Sequence, residues 1–340
     1  MIRQKPLNQQ VMVITGASSG IGLATARMAA SAGARVLLVA RNDDALAQAV
    51  ADIRQAGGTA DHLAVDVADA DAAQRISAKA LASLGPIDTW VNNAAVALFA
   101  RLDQTTLDEQ RRVFDVGYFA TVAASLHAVE QMKATGGGTL INVGSVLSER
   151  AAPLQGAYSA MKHAVLGFTE ALRSELQQEG APIQVTLIKP HGIDTPYPEH
   201  ARNRLGKPAQ IPPPLYSADL VAKAICFAAA NPRRELLVGG AGMSATIVGN
   251  LVPGLSDWPI AKLFGRWNQT TDQPPEPGTS DNLFEPRSDG RVASNQRRFV
   301  RQSSLALAAQ LHPARIAGGA LVAGGLAYWM LRGRMHRTSD

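Results

Sequence analysis

Short apolar runs alternate with amphipathic stretches through the first 240 residues of the chain. The runs are apolar at consecutive positions, which is typical of parallel strands buried on both faces. The amphipathic stretches, such as Asp44–Ala56, Ala70–Leu84 and Leu107–Lys133, are predicted helices. This alternation predicts a doubly wound α/β fold with a mostly parallel seven-stranded sheet and helices on both faces. The predicted strands are Val11–Thr15, Arg35–Ala40, His62–Val65, Thr89–Val91, Thr139–Val143, Gln184–Ile188 and Glu235–Val238.

The pattern changes after Gly242, so we predict a catalytic domain at residues 1–242 followed by a C-terminal extension. Residues 243–267 are apolar with Gly and Pro interruptions and are predicted to cover the site or rest on a membrane. Residues 268–304 are polar and rich in Pro, Gly, Ser, Asn and Arg, which favours a linker. Residues 305–340 form a hydrophobic, basic tail and a candidate membrane anchor.

The tail contains sixteen uncharged residues, Ile316–Leu331, with arginines on both sides. As a helix they would span about 24 Å, whereas a bilayer core is about 30 Å thick. Arg315 can snorkel and extend the span, and Tyr328 and Trp329 lie near one end, as interfacial aromatics do. Two interpretations therefore stay open: a tail attached to a membrane, or a Gly/Ala-rich helix docked on protein.

Composition and charge narrow the class of protein. Apolar residues make up 46% of the 340 residues and charged residues 18%, which is typical of a globular chain. The single cysteine, Cys226, allows no disulfide within the chain, and the polar first ten residues lack a secretory signal, so we expect a cytoplasmic protein. The chain has a net charge of +5, but residues 287–340 alone carry +7, so residues 1–286 carry −2. The positive charge therefore belongs to the C-terminal part of the chain, which argues against nucleic-acid binding by the fold.

A glycine-rich turn, Thr15–Gly22, joins the first predicted strand to a helix. Glycine permits a tight turn and a close approach of backbone to ligand. The N-terminus of the helix presents free N–H groups and a partial positive charge. A strand, a glycine turn and a helix in this order are suited to holding a pyrophosphate.

A second group of residues carries redox chemistry. Ser145 follows a predicted strand, and Tyr158 and Lys162 lie four residues apart on one face of a predicted helix, 156–178. A lysine ammonium one turn away is expected to lower the tyrosine pKa, which is ordinarily near 10. The phenol can then exchange a proton with a carbonyl or hydroxyl oxygen that the serine holds. The hydride has to come from a nicotinamide, because no side chain supplies one.

These motifs resemble those of the short-chain dehydrogenase/reductase family over about residues 8–242, in the family's order and spacing. The matching motifs are Thr15–Gly22 (TGASSGIG), Asp66-Val67, Asn92–Ala95 (NNAA), Ser145, Tyr158–Lys162 (YSAMK) and Pro190–Thr195. The resemblance implies a Rossmann-like fold. It also implies that Tyr158 is the general acid/base, that Ser145 orients the carbonyl, and that Lys162 lowers the tyrosine pKa and holds the nicotinamide ribose. The cofactor-binding residues expected from the matched motifs are Gly16, Ser18, Ser19, Gly20, Ile21, Gly22, Asp66, Val67, Asn93, Ala94, Tyr158, Lys162, Pro190, Ile193 and Thr195.

The sequence departs from the family's pattern at three positions. Gly117 stands where the family usually has a catalytic asparagine, so a four-residue catalytic set cannot be assigned. His191 replaces the glycine that usually follows Pro190, and we consider it a candidate substrate contact. Ala95 ends a motif that usually ends in glycine. These departures support an alternative: a catalytically weak nucleotide-binding or membrane-scaffold protein of the same fold.

The end of the second strand predicts the cofactor. NAD-binding relatives place an acidic residue there to bond the ribose 2′-hydroxyl. This chain has Arg41, which can pair with a 2′-phosphate and stack on adenine, and Ser18 can add a hydroxyl contact. NADP(H) is therefore predicted over NAD(H), unless a longer strand brings Asp43 or Asp44 into the acidic role.

Together these features predict an NADP(H)-dependent oxidoreductase that interconverts a carbonyl and a secondary alcohol. The hydrophobic tail suggests a membrane surface and a lipophilic small-molecule substrate, such as a steroid or lipid-derived ketone. His127, His163 and His191 do not group with carboxylates, so no metal site is predicted. Family members commonly form dimers or tetramers, which makes a homo-oligomer the expected assembly. The stretch Thr195–Leu215 falls where the family places a substrate lid.

Overall fold

A computed structural model describes residues 4–240, 254, 280–287, 290–296 and 298–313. Its main feature is a seven-stranded, fully parallel sheet with strand order β11-β7-β6-β4-β1-β2-β3. The seven predicted strands correspond to these seven, with ends that differ by at most three residues. The strands are β1 (Val11–Thr15), β2 (Arg35–Ala40), β3 (Thr59–Ala64), β4 (Thr89–Asn92), β5 (Leu98–Phe99), β6 (Gly138–Val143), β7 (Ile183–Pro190), β8 (Ile193–Asp194), β9 (Arg202–Asn203), β10 (Leu215–Ser217), β11 (Glu235–Val238) and β12 (Val300–Arg301).

Helices cover both faces of this sheet, which confirms the predicted doubly wound Rossmann-like fold. The helices are α1 (Gly20–Ser31), α2 (Asp43–Gln55), α3 (Ala72–Ser83), α4 (Leu107–Phe114), α5 (Ala120–Thr135), α6 (Gly156–Gln178), α7 (Tyr197–His200), α8 (Ala218–Ala230) and α9 (Leu305–Leu311). Successive residues of β1 point to opposite faces of the sheet. Met12 and Ile14 therefore pack against α1, α2 and α8, whereas Val11 and Val13 pack against α3, α5 and α6.

The strand order reverses between β1 and β4. From β1 the chain proceeds outward through β2 and β3, and it then returns to β4 on the other side of β1. The carboxyl ends of β1 and β4 therefore open a crevice, which is where doubly wound sheets bind ligands. The fold thus places the glycine turn after β1 and the end of β4 at one site.

One predicted helix is interrupted. The structure divides the predicted helix Leu107–Lys133 into α4, a π-helical turn at Asp115–Phe119, and α5. The helix begins at a capping box, in which Thr106 and Glu109 satisfy each other's main-chain N–H groups. The interruption coincides with Gly117, and π turns of this kind often lie at functional sites.

The described residues of the predicted linker pack against the domain, which differs from the linker expected at 268–304. Leu283 is fully buried, and β12 joins a small parallel sheet in the order β12-β10-β8. The start of the predicted tail also packs on the domain: Leu307 and Leu311 of α9 are part of the core, and the Gln310 side chain bonds both main-chain groups of Leu237. These contacts are made by main-chain groups and by a few buried leucines. The polar composition of the segment therefore gave no sign of them.

Within the part of the chain that the structure describes, no helix has the length and apolarity needed to cross a membrane. The predicted anchor, Ile316–Leu331, lies outside the described residues, and so do nearly all of residues 243–267.

The two leucines at the start of α9 provide a test of this packing. Leu307 is 2% exposed and Leu305 is 84% exposed. We expect Leu307→Ala to lower the free energy of unfolding by about 2–5 kcal/mol, because it leaves a cavity in the core. Leu305→Ala on the same helix should change it by less than about 0.5 kcal/mol. Urea denaturation of both variants measures the difference, and equal stabilities would show that α9 does not pack on the domain.

Candidate active site

The glycine turn is shaped by a close backbone contact. Gly16 and Gly20 have φ angles of +67° and +52°, which favour glycine. A Cβ atom on Gly22 would lie 2.2 Å from the Gly16 carbonyl oxygen, so no side chain fits there. The first turn of α1 is thereby held directly against the end of β1. Gly22 thus has a packing role and is not among the residues that line the cavity described below.

Asn93 joins the glycine turn to the end of β4. Its side-chain amide donates to the Thr15 carbonyl over 2.9 Å, and the Thr15 hydroxyl accepts from the main-chain N–H groups of Asn93 and Ala94 at 3.0 and 3.1 Å. A Cβ on Gly16 would lie 2.9 Å from the Ala94 Cα, so the two segments are in contact. This arrangement holds the crevice open at a defined width.

Ser145, Tyr158 and Lys162 meet beside this crevice. Ser145 follows β6, and its hydroxyl accepts from the Leu147 N–H at 3.1 Å, which orients it at the start of a short 3-10 turn. Tyr158 and Lys162 lie one turn apart on α6, with the lysine Nζ 5.6 Å from the centre of the tyrosine ring. The Lys162 ammonium donates to the Val143 carbonyl over 2.6 Å. The three side chains that the sequence predicted to act together are therefore neighbours.

Burial dominates the acid–base properties of this group. Burial raises the pKa of Tyr158 well above its ordinary value, and hydrogen bonding to Tyr197 and Ser145 lowers it only in part. Burial also lowers the pKa of Lys162 to about 8. The expected lowering of the Tyr158 pKa by Lys162 is absent from these causes, desolvation dominates, and the phenol holds its proton at neutral pH.

Tyr197 is a site residue that sequence reasoning missed. It begins α7, directly after the Thr195-Pro196 pair, and its ring centre lies 5.4 Å from that of Tyr158 and 5.9 Å from that of Phe99. Its hydroxyl influences the pKa of Tyr158, as described above. No motif marks this position, because its importance arises from the path of the chain after β8.

One continuous cavity of about 440 Å³ connects these groups. Every predicted catalytic and cofactor-binding residue except Gly22 lines it, from Arg41 at one end to Ser145 and Tyr158 at the other. Further lining residues that the sequence did not indicate come from the loops after β2 and β6, from the lid and from beyond residue 280. They include Asn42, Leu147, Tyr197, His200, Ile211, Asn282, Pro286 and Arg287.

Arg41 and Asp66 already have partners in the protein. Arg41 donates to the Phe284 carbonyl over 2.7 Å and also to the Asn282 carbonyl. Asp66 accepts from Arg112 and from the Ala68 N–H, and lies 4.0 Å from Arg41. The residues expected to meet the adenosine part of a cofactor are thus held in place by a charge cluster.

Met161 takes up the space beside Gly117. A Cβ on Gly117 would lie 2.5 Å from the Met161 Sδ, and the Gly117 carbonyl accepts from the Thr121 hydroxyl at 2.9 Å. A longer side chain at position 117 would displace Met161 from the core. The departure from the family pattern is therefore accommodated by the packing of Met161 on α6 against the π turn.

His191 lies at the cavity wall, where burial lowers the pKa of its imidazole. Its ring meets Tyr216 edge to face, with centres 6.4 Å apart. The residues Pro212, Pro213 and Pro214 line the cavity as well. The predicted lid region therefore borders the site.

The fold and the relatives define an oxidoreductase with a Rossmann-like domain. The family model of the short chain dehydrogenases matches residues 10–205. An uncharacterized oxidoreductase, YxnA of Bacillus subtilis, is 38% identical over 329 residues, which cover 96% of this chain and 92% of that protein. A 3beta-hydroxysteroid dehydrogenase of Mediterraneibacter gnavus is 34% identical over 57% of this chain and 70% of its own. The chain belongs to the short-chain dehydrogenase/reductase family.

Solved structures agree with this assignment. A short-chain dehydrogenase/reductase from Burkholderia phymatum in complex with NAD has a TM-score of 0.66 and 25% identity, and the match covers 80% of this chain and 99% of that one. A metagenomic short-chain oxidoreductase in complex with NADP has a TM-score of 0.57 and 30% identity, over 67% of this chain and 96% of that one. Relatives of this fold thus bind either dinucleotide.

Glu109 fastens the lid to α4. It is 3% exposed and accepts from Arg204 at 2.6 Å and Arg202 at 3.0 Å, two residues that follow α7. Burial raises the pKa of this carboxyl, but hydrogen bonds from Arg204, the Thr106 main chain and Arg202 outweigh it and lower the pKa to about 2. When the pKa of a carboxyl is lower in the folded state than in the unfolded state, its ionised form stabilises the fold at any pH above the unfolded-state pKa. That contribution is lost as the pH falls toward the folded-state pKa.

We therefore expect Glu109→Gln to destabilise the protein at pH 7 by about 1–3 kcal/mol. The difference from the parent should shrink as the pH falls from about 4.5 toward about 2, because the parent carboxyl then becomes protonated. Urea denaturation at several pH values measures both effects. Asp108→Asn on the exposed side of the same helix is the control, and a difference that does not depend on pH would refute the assigned pKa.

Proposed function

We propose that the protein is an NADP(H)-dependent oxidoreductase that interconverts a carbonyl and a secondary alcohol. One observation carries this proposal: Ser145, Tyr158 and Lys162 line the same cavity as the glycine turn and Arg41. The glycines of that turn leave room for backbone N–H groups to approach a ligand closely, so the residues present fit a dinucleotide. A bound nicotinamide would supply or accept the hydride.

Tyr158 is the proton donor in the direction of carbonyl reduction. Its buried phenol is protonated at neutral pH, so it can donate to a carbonyl oxygen as negative charge develops there. The Ser145 hydroxyl, fixed by the Leu147 N–H, holds the same oxygen by a second hydrogen bond. The two hydroxyls together stabilise the negative charge that develops on the carbonyl oxygen in the transition state. Stabilisation of this kind is usually the largest contribution to catalysis.

Lys162 supports this transfer through its charge. Because burial lowers its pKa to about 8, the ammonium gives up a proton more readily than an exposed lysine does. Its position one turn from Tyr158 on α6 would also let it hold the nicotinamide ribose of a bound cofactor, as the family resemblance implies. The bond to the Val143 carbonyl keeps the side chain directed into the site.

The preference for NADP(H) rests on Arg41 at the end of β2. Its guanidinium lies at the cavity wall with the Asn42 amide beside it, and a guanidinium suits a phosphate better than a ribose hydroxyl. Asp43 and Asp44, the alternative acids, lie in the first turn of α2 and are not among the lining residues. Asp43 pairs with His62 at 3.2 Å instead.

A lipophilic substrate is supported by the walls of the cavity next to Tyr158. Tyr197 and Ile211 belong to the same apolar cluster as Tyr158, and Leu147 and the prolines of the lid also line the cavity. A relative named as a 3beta-hydroxysteroid dehydrogenase is compatible with a bulky alicyclic substrate. We propose a hydrophobic ketone or secondary alcohol as the substrate class.

Two further features belong to the same proposal. Phe119 at the end of the π turn and Leu126 on α5 are more than half exposed, and a second copy of the chain would bury them, which supports a homo-oligomer. Contact with a membrane through residues 305–340 stays a prediction, now restricted to the part of the tail beyond α9.

Replacing Tyr158 tests the chemistry. We expect Tyr158→Phe to reduce the turnover of a hydrophobic ketone by about 10²-fold or more, since it removes the proton donor. NADPH should still bind, because the phenyl ring keeps its packing. Oxidation of NADPH at 340 nm across a panel of ketones measures turnover. The control is Tyr118→Phe, a tyrosine outside the cavity.

Equal turnover in the parent and Tyr158→Phe would refute the enzymatic role of this tyrosine. NADPH binding without turnover of any ketone or alcohol by the parent would instead favour the alternative of a nucleotide-binding scaffold, for which Gly117 is the main support.

Replacing Arg41 tests the cofactor preference. We expect Arg41→Ala to weaken NADPH binding by about 10- to 100-fold and NADH binding much less, because a charge-assisted hydrogen bond to the 2′-phosphate is lost. Fluorescence titration with both nucleotides gives the ratio of affinities. Arg75→Ala, on the surface of α3, is the matched control. A parent protein that prefers NADH would overturn the proposal for NADP(H).

A further inference from the structure

A segment of the C-terminal extension joins the two walls of the cavity. This C-terminal strap comprises residues 280–287 and 290–296 and contributes Asn282, Pro286 and Arg287 to the lining. One wall is formed by the ends of β1 and β2 with the start of α1 and α2. The other wall is formed by β8 and α7 of the lid region. The strap bonds to both walls at three of its residues.

Asn282 is the first bridging residue. Its main-chain N–H donates to the His200 carbonyl over 2.7 Å, on the lid side. Its own carbonyl accepts from the Arg41 guanidinium, on the β2 side. This one residue of the strap therefore bonds both walls of the cavity where the adenosine part of a dinucleotide is expected.

Arg287 and Arg291 repeat this arrangement. The Arg287 carbonyl accepts from the Asn42 amide at 2.9 Å, and its guanidinium donates to the Glu199 carbonyl at 2.8 Å. The Arg291 carbonyl accepts from the Gly20 N–H at 2.8 Å, and its guanidinium pairs with the Glu199 carboxylate at 2.7 Å. In each residue the main chain holds one wall and the side chain holds the other.

Two anchors fix the strap to the domain. Leu283 is fully buried among Val96, Val113 and Val116, and its carbonyl accepts from Arg112 at 2.9 Å. At the other end Ser294 bonds to the Asp194 carboxylate. Since most of the remaining contacts are main-chain hydrogen bonds on partly exposed residues, Leu283 is the main apolar contribution to closure.

We propose that the C-terminal strap closes over the bound dinucleotide and that the cofactor is exchanged only when the strap detaches. This inference rests on the proposed nucleotide-binding function. A molecule that extended from Tyr158 past the glycine turn to Arg41 would meet Asn282 and Arg287, because both residues line the same cavity. Its release therefore requires the bridging hydrogen bonds to break. The strap and the lid form one cover, because the strap bonds to Glu199 and His200, which belong to the lid.

A disulfide across the strap tests this directly. A Cβ atom on Gly290 would lie 3.8 Å from the Cβ of Ala45 on α2, which is about the mean separation of about 3.8 Å in disulfides. The double variant Ala45→Cys/Gly290→Cys therefore allows the closed strap to be locked by oxidation and released by dithiothreitol. The native Cys226 is buried and distant in sequence.

The readout is the dissociation rate of NADPH, with NADH measured in parallel. The reduced double variant is loaded with nucleotide, oxidised, and mixed with an excess of the oxidised nucleotide, while nicotinamide fluorescence is followed. We expect oxidation to slow dissociation by at least about tenfold, because the cross-link removes the open state, and dithiothreitol to restore the original rate. The two single-cysteine variants should show no redox effect. Equal rates before and after reduction of the disulfide would overturn the proposal.

The apolar anchor provides a second test that needs no cross-link. Leu283→Ala should speed NADPH dissociation by about tenfold or more, since the loss of a buried leucine favours the detached strap. Phe299→Ala, a residue that follows the strap and is 83% exposed, should leave the rate unchanged. An NADPH dissociation rate in Leu283→Ala equal to that of the parent would contradict the proposal.

The outcomes also separate this inference from the proposed function. If the parent binds neither NADPH nor NADH, both fail. If it binds one of them and the rate is the same in the locked, reduced and Leu283→Ala forms, only the strap proposal fails.

Discussion

The site depends on the close contact between the two ends of the glycine turn. Because Gly22 has no side chain, the first turn of α1 approaches the Gly16 carbonyl, and because Gly16 has none, the end of β4 approaches the same turn. Asn93 and Thr15 then tie these segments together. A side chain at either glycine would push α1 away from β1 and change the width of the crevice. Every other group of the site is placed relative to this contact.

The acid–base group is governed by burial more than by the nearby lysine. Removing Tyr158 from water favours its neutral form, and the same environment lowers the pKa of Lys162 to about 8. The two shifts move the pKa values of the two groups apart: the phenol becomes a weaker acid and the ammonium a stronger one, so the lysine can return a proton to a tyrosine that has lost its own. The packing of Met161 against Gly117 keeps this helix close to the π turn without an asparagine. The chemistry is thus supported by desolvation and helix packing.

The C-terminal extension belongs to the domain in its described residues. Residues 280–313 return to the cavity, join β10 as a third small strand, and end in a helix packed on the core. The similarity to YxnA covers 96% of this chain and so includes most of this region. An appended segment that holds both walls of the cavity couples the Arg41 side to the lid. Cofactor exchange and lid movement would then be one event.

The sequence by itself determined the seven strands, the doubly wound class and the residues of the glycine turn and the Ser145, Tyr158 and Lys162 group. Consecutive apolar residues and local spacing encode these features, and both can be read along the chain. Other features were decided only by the tertiary structure: the direction of the Tyr158 pKa, the place of Tyr197, the partners of Arg41 and the position of the strap. Burial and contacts between residues far apart in the sequence produce them, such as the contact of Arg41 with Phe284. Most hydrogen bonds of the strap are accepted by main-chain carbonyls. Because every residue has a main-chain carbonyl, no pattern of residue types predicts these bonds.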